Sequence, residues 1–233
     1  METIQGLNRM PDTPTIAIIG GTGDLGSGLA RLWARAGYPI VIGSRDKGKA
    51  EATARELCTG GGCVRGDENA AAARAADIVV LSVPYASHDA IVDEIRGEVE
   101  GKIVVDAAVP LVPPKVSVVQ LPAAGSPAVV AQRMLGPGVR VVSAFHNVGA
   151  KKLHGAERAD CDVLVFSDDT EARARVVDLA GLVATRGVDG GSLANSVAAE
   201  ALTSVLIAIN RKYKVPGAGI RITGLPCAGE GDA

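Results

Sequence analysis

Three glycines in the spacing Gly21-x-Gly23-x-x-Gly26 lie inside the run Gly20-Gly21-Thr22-Gly23-Asp24-Leu25-Gly26. A short apolar stretch, Thr15 to Ile19, precedes the run, and a helical pattern from Leu25 to Ala36 follows it. Glycine lets the backbone turn sharply and approach a pyrophosphate, whose charge then rests on free N–H groups at a helix N-terminus. An ordinary strand-to-helix turn is the plain alternative. The strand, the spacing and the helix together favour a dinucleotide fingerprint.

A second apolar run, Pro39 to Ile42, ends in Gly43-Ser44-Arg45, about 20 residues past the glycines, where an NAD enzyme places an acid against the ribose 2′-hydroxyl. No acid ends that strand. Ser44 can donate a hydrogen bond, Arg45 can fork to a phosphate, and Lys49 follows four residues on, a set that suits a 2′-phosphate. Asp46 is the contrary signal, although it could equally start the next helix. The expected nucleotide is NADP(H) rather than NAD(H).

These residues need a rigid support, and the rest of the chain repeats the strand-then-helix rhythm of a parallel sheet. Asp77–Val83 reads as a strand ending at Pro84-Tyr85, and Lys102–Asp106 as one ending in the turn to Leu111. Val139–Phe145, with His146-Asn147-Val148-Gly149-Ala150 beyond it, is another. Asp162–Phe166 is the next, followed by a helix from Thr170 to Leu182. Ligands of such sheets lie beyond the carboxyl ends of the strands, so those three turns should line the site. A long helix, about Ser192 to Ile209, carries an apolar stripe that packs on its own sheet or makes a homodimer contact. The expected fold is α/β, a Rossmann-type doubly wound, mostly parallel sheet, with the nucleotide-binding domain at 13–187. A small C-terminal helical portion at 188–225 would serve the second substrate or a dimer.

Composition agrees with an enzyme of one main core. The chain has 233 residues, 47% of them hydrophobic and only 3% aromatic, with 29 glycines. A formal net charge of −2 gives no reason to expect nucleic acid. No secretory signal and no membrane-length apolar run is read, so the expectation is cytoplasmic. Cys58, Cys63, Cys161 and Cys227 and the three histidines, His88, His146 and His154, show no metal spacing. Residues 1–12 and 226–233 read as loose termini.

In their order along the chain, these motifs resemble the F420-dependent NADP reductases, in which hydride passes between NADP(H) and the deazaflavin coenzyme F420. The resemblance runs from about Thr15 to about Ile222. It rests on 20–26, Gly-Ser-Arg at 43–45 with Lys49, Val83-Pro84-Tyr85 and Val142-Ser143-Ala144-Phe145-His146. Further on it takes in Asp168-Asp169, Leu193-x-Asn195-Ser196, Glu200-Ala201-Leu202-Thr203 and Gly219-Ile220-Arg221. It implies that Thr22, Gly23, Asp24 and Leu25 hold the pyrophosphate and that Ser44, Arg45 and Lys49 hold the 2′-phosphate. Tyr85, with Val83 and Pro84, Leu111 and Ala150 would line the nicotinamide half, and Ala218 and Gly219 would lie beside the deazaflavin. Archaeal members read His-Thr-Ile-Pro-Ala where this chain has His146-Asn147-Val148-Gly149-Ala150. That departure touches the loop facing the second substrate, so another small acceptor, such as an imine or a metal chelate, or a non-enzymatic NADP(H) sensor, stays open beside the deazaflavin.

Hydride transfer between two rings needs positioning above all, because the cofactors carry the electronics. No catalytic triad is then required. His146 could hydrogen-bond either ring or satisfy loop backbone, and Asp106 could orient an amide or cap a turn. Lys151 and Lys152, and a second group of Arg211, Lys212, Lys214 and Arg221, could form a basic rim for an acidic coenzyme tail.

Overall fold

The computed structural model describes residues 13–58, 63–155 and 158–225. Cys227, both terminal segments and most of the glycine-rich turn between Cys58 and Cys63 lie outside them. Six strands form one parallel sheet: β1 (Ile16–Ile19), β2 (Ile40–Ser44), β3 (Val64–Glu68), β4 (Ile78–Leu81), β5 (Ile103–Asp106) and β6 (Arg140–Ser143). Their order is β3-β2-β1-β4-β5-β6, with β1 at the centre where the chain changes direction across the sheet. Five helices connect them: α1 (Asp24–Arg35), α2 (Lys47–Leu57), α3 (Asn69–Arg74), α4 (His88–Ile95) and α5 (Pro127–Leu135).

The central strands are apolar on both sides because helices cover both faces. Ile16 and Ile18 pack on one face with Leu29, Trp33 and Phe145, whereas Ala17 and Ile19 pack on the other with Val79, Ile91 and Val104. Alternation along a strand divides one apolar run between two cores.

The chain then forms β7 (Ala159–Val165), α6 (Thr170–Gly181), β8 (Ala184–Asp189) and α7 (Ser196–Tyr213). Here the strand expected at 162–166 departs from the reading of one continuous sheet. It starts at Ala159 and pairs in parallel with β8 in a separate two-stranded sheet, joined to the main one by an antiparallel bridge between Ser143 and Phe166. The edge strands β3 and β8 escaped the sequence reading for one reason: Val-Arg-Gly-Asp-Glu and Ala-Thr-Arg-Gly-Val-Asp bury few side chains and carry no apolar run. Trp33 fastens the two parts together. Its ring meets Phe145 edge-on at 5.6 Å, and its Nε1 donates to the Leu179 carbonyl at 3.0 Å.

The long helix begins four residues later than expected, at Ser196, after a 3-10 turn at 193–195. By length and composition alone, Leu193–Tyr213 could cross a bilayer, with a mean hydropathy of 1.4; the reading of no membrane-length run is corrected here. Its leucines, valines and isoleucines raise the hydropathy, yet it also carries the buried polar residues Ser196, Glu200 and Ser204.

Candidate functional site

Tight packing shapes the glycine turn. Gly20 has φ +79, and a Cβ there would lie 2.8 Å from the Ser82 carbonyl oxygen. Added Cβ atoms on Gly21 and Gly26 would come within 2.7 Å of the Ile18 carbonyl and 2.6 Å of Ser82 Oγ respectively. These glycines let β1, α1 and the end of β4 approach one another. Gly23 differs, since its Cβ would meet only the Gly20 carbonyl at 3.4 Å. It is the N-cap of α1, no side chain caps the helix, and the first-turn N–H groups are left as donors for an anion.

That helix end opens on a cavity of about 640 Å³ at the carboxyl edge of the sheet. Gly20, Thr22, Gly23, Asp24 and Leu25 form one wall; Ser44, Arg45 and Asn69 form a second. The remaining walls come from Ser82, Val83, Pro84, Tyr85, Ser87 and Ile91, and from Ala107, Val109, Leu111, Pro113 and Val116. Gly21 and Gly26 are buried beneath the turn and shape it without lining the cavity.

The loop after β2 resolves the ambiguity of Asp46. Its Oδ1 accepts from the Lys49 amide at 3.1 Å and caps α2, while its own amide donates to Ser44 Oγ at 3.2 Å. Asp46 is thus a helix cap. Neighbouring Lys47 is held by Asp67 at 3.0 Å. Arg45 is exposed on the cavity wall and makes no hydrogen bond or ion pair among the described residues. An unpaired guanidinium beside uncapped helix N–H groups fits the two phosphate positions of NADP(H). Lys49 is exposed in the first turn of α2 and does not line the cavity.

Asp106 serves the opposite wall from beneath. It is fully buried, with Oδ1 accepting from the Ala108 amide at 2.9 Å and Oδ2 2.7 Å from His88 Nε2. His88 Nδ1 in turn lies 2.8 Å from Asp89 Oδ1. Burial pushes the imidazole's pKa down, but the hydrogen bonds and charges of Asp106 and Asp89 outweigh it and hold the pKa at about 9. Protonated His88, paired with Asp106, anchors the turn from which Ala107, Val109 and Leu111 line the cavity. Sequence reading had no signal for this pairing across 18 residues.

His146 does not line the cavity. Its ring is buried, Nε2 lies 2.9 Å from Ser143 Oγ, and burial lowers its pKa to about 4, so the ring is neutral. Thr203 Oγ1 donates to its carbonyl at 2.8 Å, tying the loop to α7. Beside it, Ser126 and Ser143 donate to Glu200 Oε1 at 2.8 and 3.3 Å. Burial pushes the Glu200 carboxyl up to about 7.

Ala150, Ala218 and Gly219 gather elsewhere, where the loop after β6 meets the segment beyond α7. A Cβ on Gly149 would lie 3.4 Å from Gly217 Cα, the Lys152 side chain lies along Gly217, and Gly219 sits against Cys161. The Ala218 amide donates to Asn210 Oδ1 at 2.6 Å. The second basic group is partly engaged: Arg221 pairs with Asp160, Arg211 donates to Ser117 Oγ at 3.0 Å, and Lys212 lies over the Tyr213 ring. Arg211 also links α7 to the 111–120 segment that covers the cavity.

Residues 15–110 match the family model described as NADP oxidoreductase, coenzyme F420-dependent. The F420-dependent NADP reductase of Methanocaldococcus jannaschii is 42% identical over 221 residues, 90% of this chain and 98% of that one. The protein of the same name from Methanothermobacter thermautotrophicus is 40% identical over 222 residues, covering 91% and 95%. The chain belongs to the F420-dependent NADP reductase family. A crystal structure of a candidate F420-dependent NADP reductase from an Arthrobacter species overlays with a TM-score of 0.76 at 26% identity, covering 90% of this chain and 99% of that one. An imine reductase from Myxococcus stipitatus, at 20% identity and a TM-score of 0.60, covering 87% and 62%, shares the fold with this F420-dependent NADP reductase family member.

Proposed function

We propose that the protein transfers a hydride reversibly between NADP(H) and coenzyme F420, at the carboxyl edge of the six-stranded sheet. The observation that carries this reading is the cavity shared by the N-terminus of α1 and Arg45, which among the described residues have no side-chain cap and no side-chain partner respectively, in a chain of this family. Thr22, Gly23, Asp24 and Leu25 then hold the pyrophosphate, with Gly21 and Gly26 keeping the turn tight. Ser44 and Arg45 hold the 2′-phosphate, and Lys49, one turn away, adds positive charge. Val83, Pro84, Tyr85 and Leu111 form the apolar wall for the nicotinamide ring, which excludes water from the transfer.

When bound, the two coenzymes supply the donor and acceptor carbons and all of the redox chemistry. The protein's part is positioning, since two rings held face to face gain most of the available acceleration from lost freedom already forfeited on binding. The neutral His146, bonded to Ser143, Thr203, which donates to the His146 carbonyl, and Asn147, which donates to the Asp162 carbonyl, hold the 144–150 loop in place, and Glu200 braces Ser143 at its base. Ala150, Ala218 and Gly219, with Lys151 and Lys152 at the rim, supply the second coenzyme's side, and residues 188–225 complete it around the nucleotide-binding unit of 13–187. We assign the reaction to the cytoplasm, where both water-soluble coenzymes would meet it. A homodimer would cover the outer face of α7, on which Val205 is 43% exposed; light scattering reads this directly.

The absorbance of oxidised F420, followed on mixing with NADPH and the purified protein, tests the reading. Protein-dependent loss of that absorbance is expected. A protein that binds NADPH and never passes hydride to F420 overturns it, and the same preparation is then challenged with imine and metal-chelate acceptors.

A further inference from the structure

Asn69, the first residue of α3, lines the cavity while only 2% of its surface is exposed. Among the described residues its side-chain oxygen has no hydrogen-bond partner. A buried acceptor without a donor is costly and scarce in folded proteins, so it marks a place where a ligand's donor belongs. The orientation of the amide follows from chemistry. Nδ2 donates to Glu94 Oε2 at 3.2 Å, and a carboxylate can only accept, so the nitrogen faces α4 and the oxygen faces away from it.

The position of that oxygen narrows the donor. It lies 3.3 Å from where a Cβ on Gly43 would stand, directly before Ser44 and Arg45. A phosphate ester has no hydrogen to give at neutral pH. The nearest donor on a ribose whose 2′-phosphate sits at Ser44 and Arg45 is its own 3′-hydroxyl. We propose that Asn69 is a cofactor-binding residue whose side-chain oxygen accepts a hydrogen bond from the 3′-hydroxyl of the adenosine ribose, with Glu94 as the positioning residue that sets the amide. The proposal rests on the NADP(H) site described above. It also predicts a division of labour: Arg45 distinguishes NADPH from NADH, whereas Asn69 contributes equally to both, because both carry the 3′-hydroxyl.

The test is a titration of 2′,5′-ADP, its 3′-deoxy analogue and its inosine counterpart into the wild-type chain and Asn69→Leu, which removes the acceptor at similar volume. Wild type should bind the 3′-deoxy compound about 3- to 10-fold more weakly than the parent, the range of one neutral hydrogen bond. Asn69→Leu should bind the two equally. Glu94→Ala, at an exposed position, frees the amide to rotate and should shrink the same ratio, which keeps the proposal testable if Asn69→Leu does not fold. An unchanged ratio in both variants overturns the proposal. So does a ratio that depends on Asn69 only for the inosine counterpart, which would assign the oxygen to the adenine amine. Failure of the wild type to bind 2′,5′-ADP at all removes the nucleotide site itself and is distinct from these results.

Discussion

Replacing Gly23 by serine separates ligand binding from folding. The residue has φ −86 and ψ 168, extended backbone open to any side chain, and a Cβ would meet only the Gly20 carbonyl at 3.4 Å, an ordinary contact. It is also a helix N-cap, where serine ranks above glycine, so stability should hold or rise by a few tenths of a kcal/mol. The new side chain must enter the cavity that Gly23 lines, at the first turn of α1. It occupies space assigned to the pyrophosphate and offers its own oxygen to the N–H groups meant for phosphate. Overpacking of this kind costs about 1–3 kcal/mol, which corresponds to NADPH binding about 5- to 150-fold weaker. Gly26→Ala is the counterpart: its methyl would lie 2.6 Å from Ser82 Oγ and 2.7 Å from Gly21 Cα, and the backbone there cannot yield, so the melting temperature should drop by about 2–4 °C for each kcal/mol lost. Calorimetric titration with NADPH and thermal melts of both variants read the two effects. A folded Gly23→Ser protein with wild-type NADPH affinity would refute the placement of the pyrophosphate on α1.

Arg45→Ala should weaken NADPH by about 1.5 kcal/mol, the low end for a charged hydrogen bond because the side chain is exposed, and leave NADH nearly unchanged; equal losses for the two would move Arg45 away from the 2′-phosphate. Glu200 has a folded pKa of about 7 against an ordinary 4.5, so its contribution to stability is fully present below about 4.5 and is lost as pH rises through 7. Across that window the loss is about 3 kcal/mol, and Glu200→Gln, which cannot ionise, should flatten the fall in denaturant unfolding at pH 5 and pH 8; parallel profiles would contradict the buried neutral carboxyl. Changing Lys151 and Lys152 together to alanine should raise the KM for F420, and the wild-type KM should rise with salt, while NADPH affinity changes little. Steady-state kinetics at two ionic strengths would expose a KM indifferent to both.

The cavity walls formed by the glycine turn and the end of β2 were legible in the sequence because their signals are local. A strand, a glycine turn and a helix need about 20 neighbouring residues, and Ser44 and Arg45 follow directly from the next strand. Strands buried on both faces show as apolar runs, which is why β1, β2, β4, β5 and β6 could be read, whereas the half-exposed β3 and β8 could not. Asp46 marks the limit of such reading, since a ribose acid and a helix cap look the same in sequence. Only the folded backbone, with the Lys49 amide 3.1 Å from its carboxyl, selects the cap.

The sequence by itself determined the fold class, the tight glycine turn between β1 and α1 and the choice of NADP(H), since each depends on residue types at short spacing. Tertiary structure alone decided which polar side chains are buried and with whom. Ser126, Ser143 and Glu200 converge from separate elements, His88 finds Asp106, and Asn69 gives its amide hydrogen to Glu94 and keeps its oxygen for the cavity. It also removed His146 from the cavity, because the chain turns its ring inward to Ser143. The physical reason is that burial and pairing set the charge and availability of a polar group: the His88, Glu200 and Asn69 pairings join residues 18 to 74 positions apart in the chain, and even the short-range His146–Ser143 contact depends on burial that no local pattern encodes.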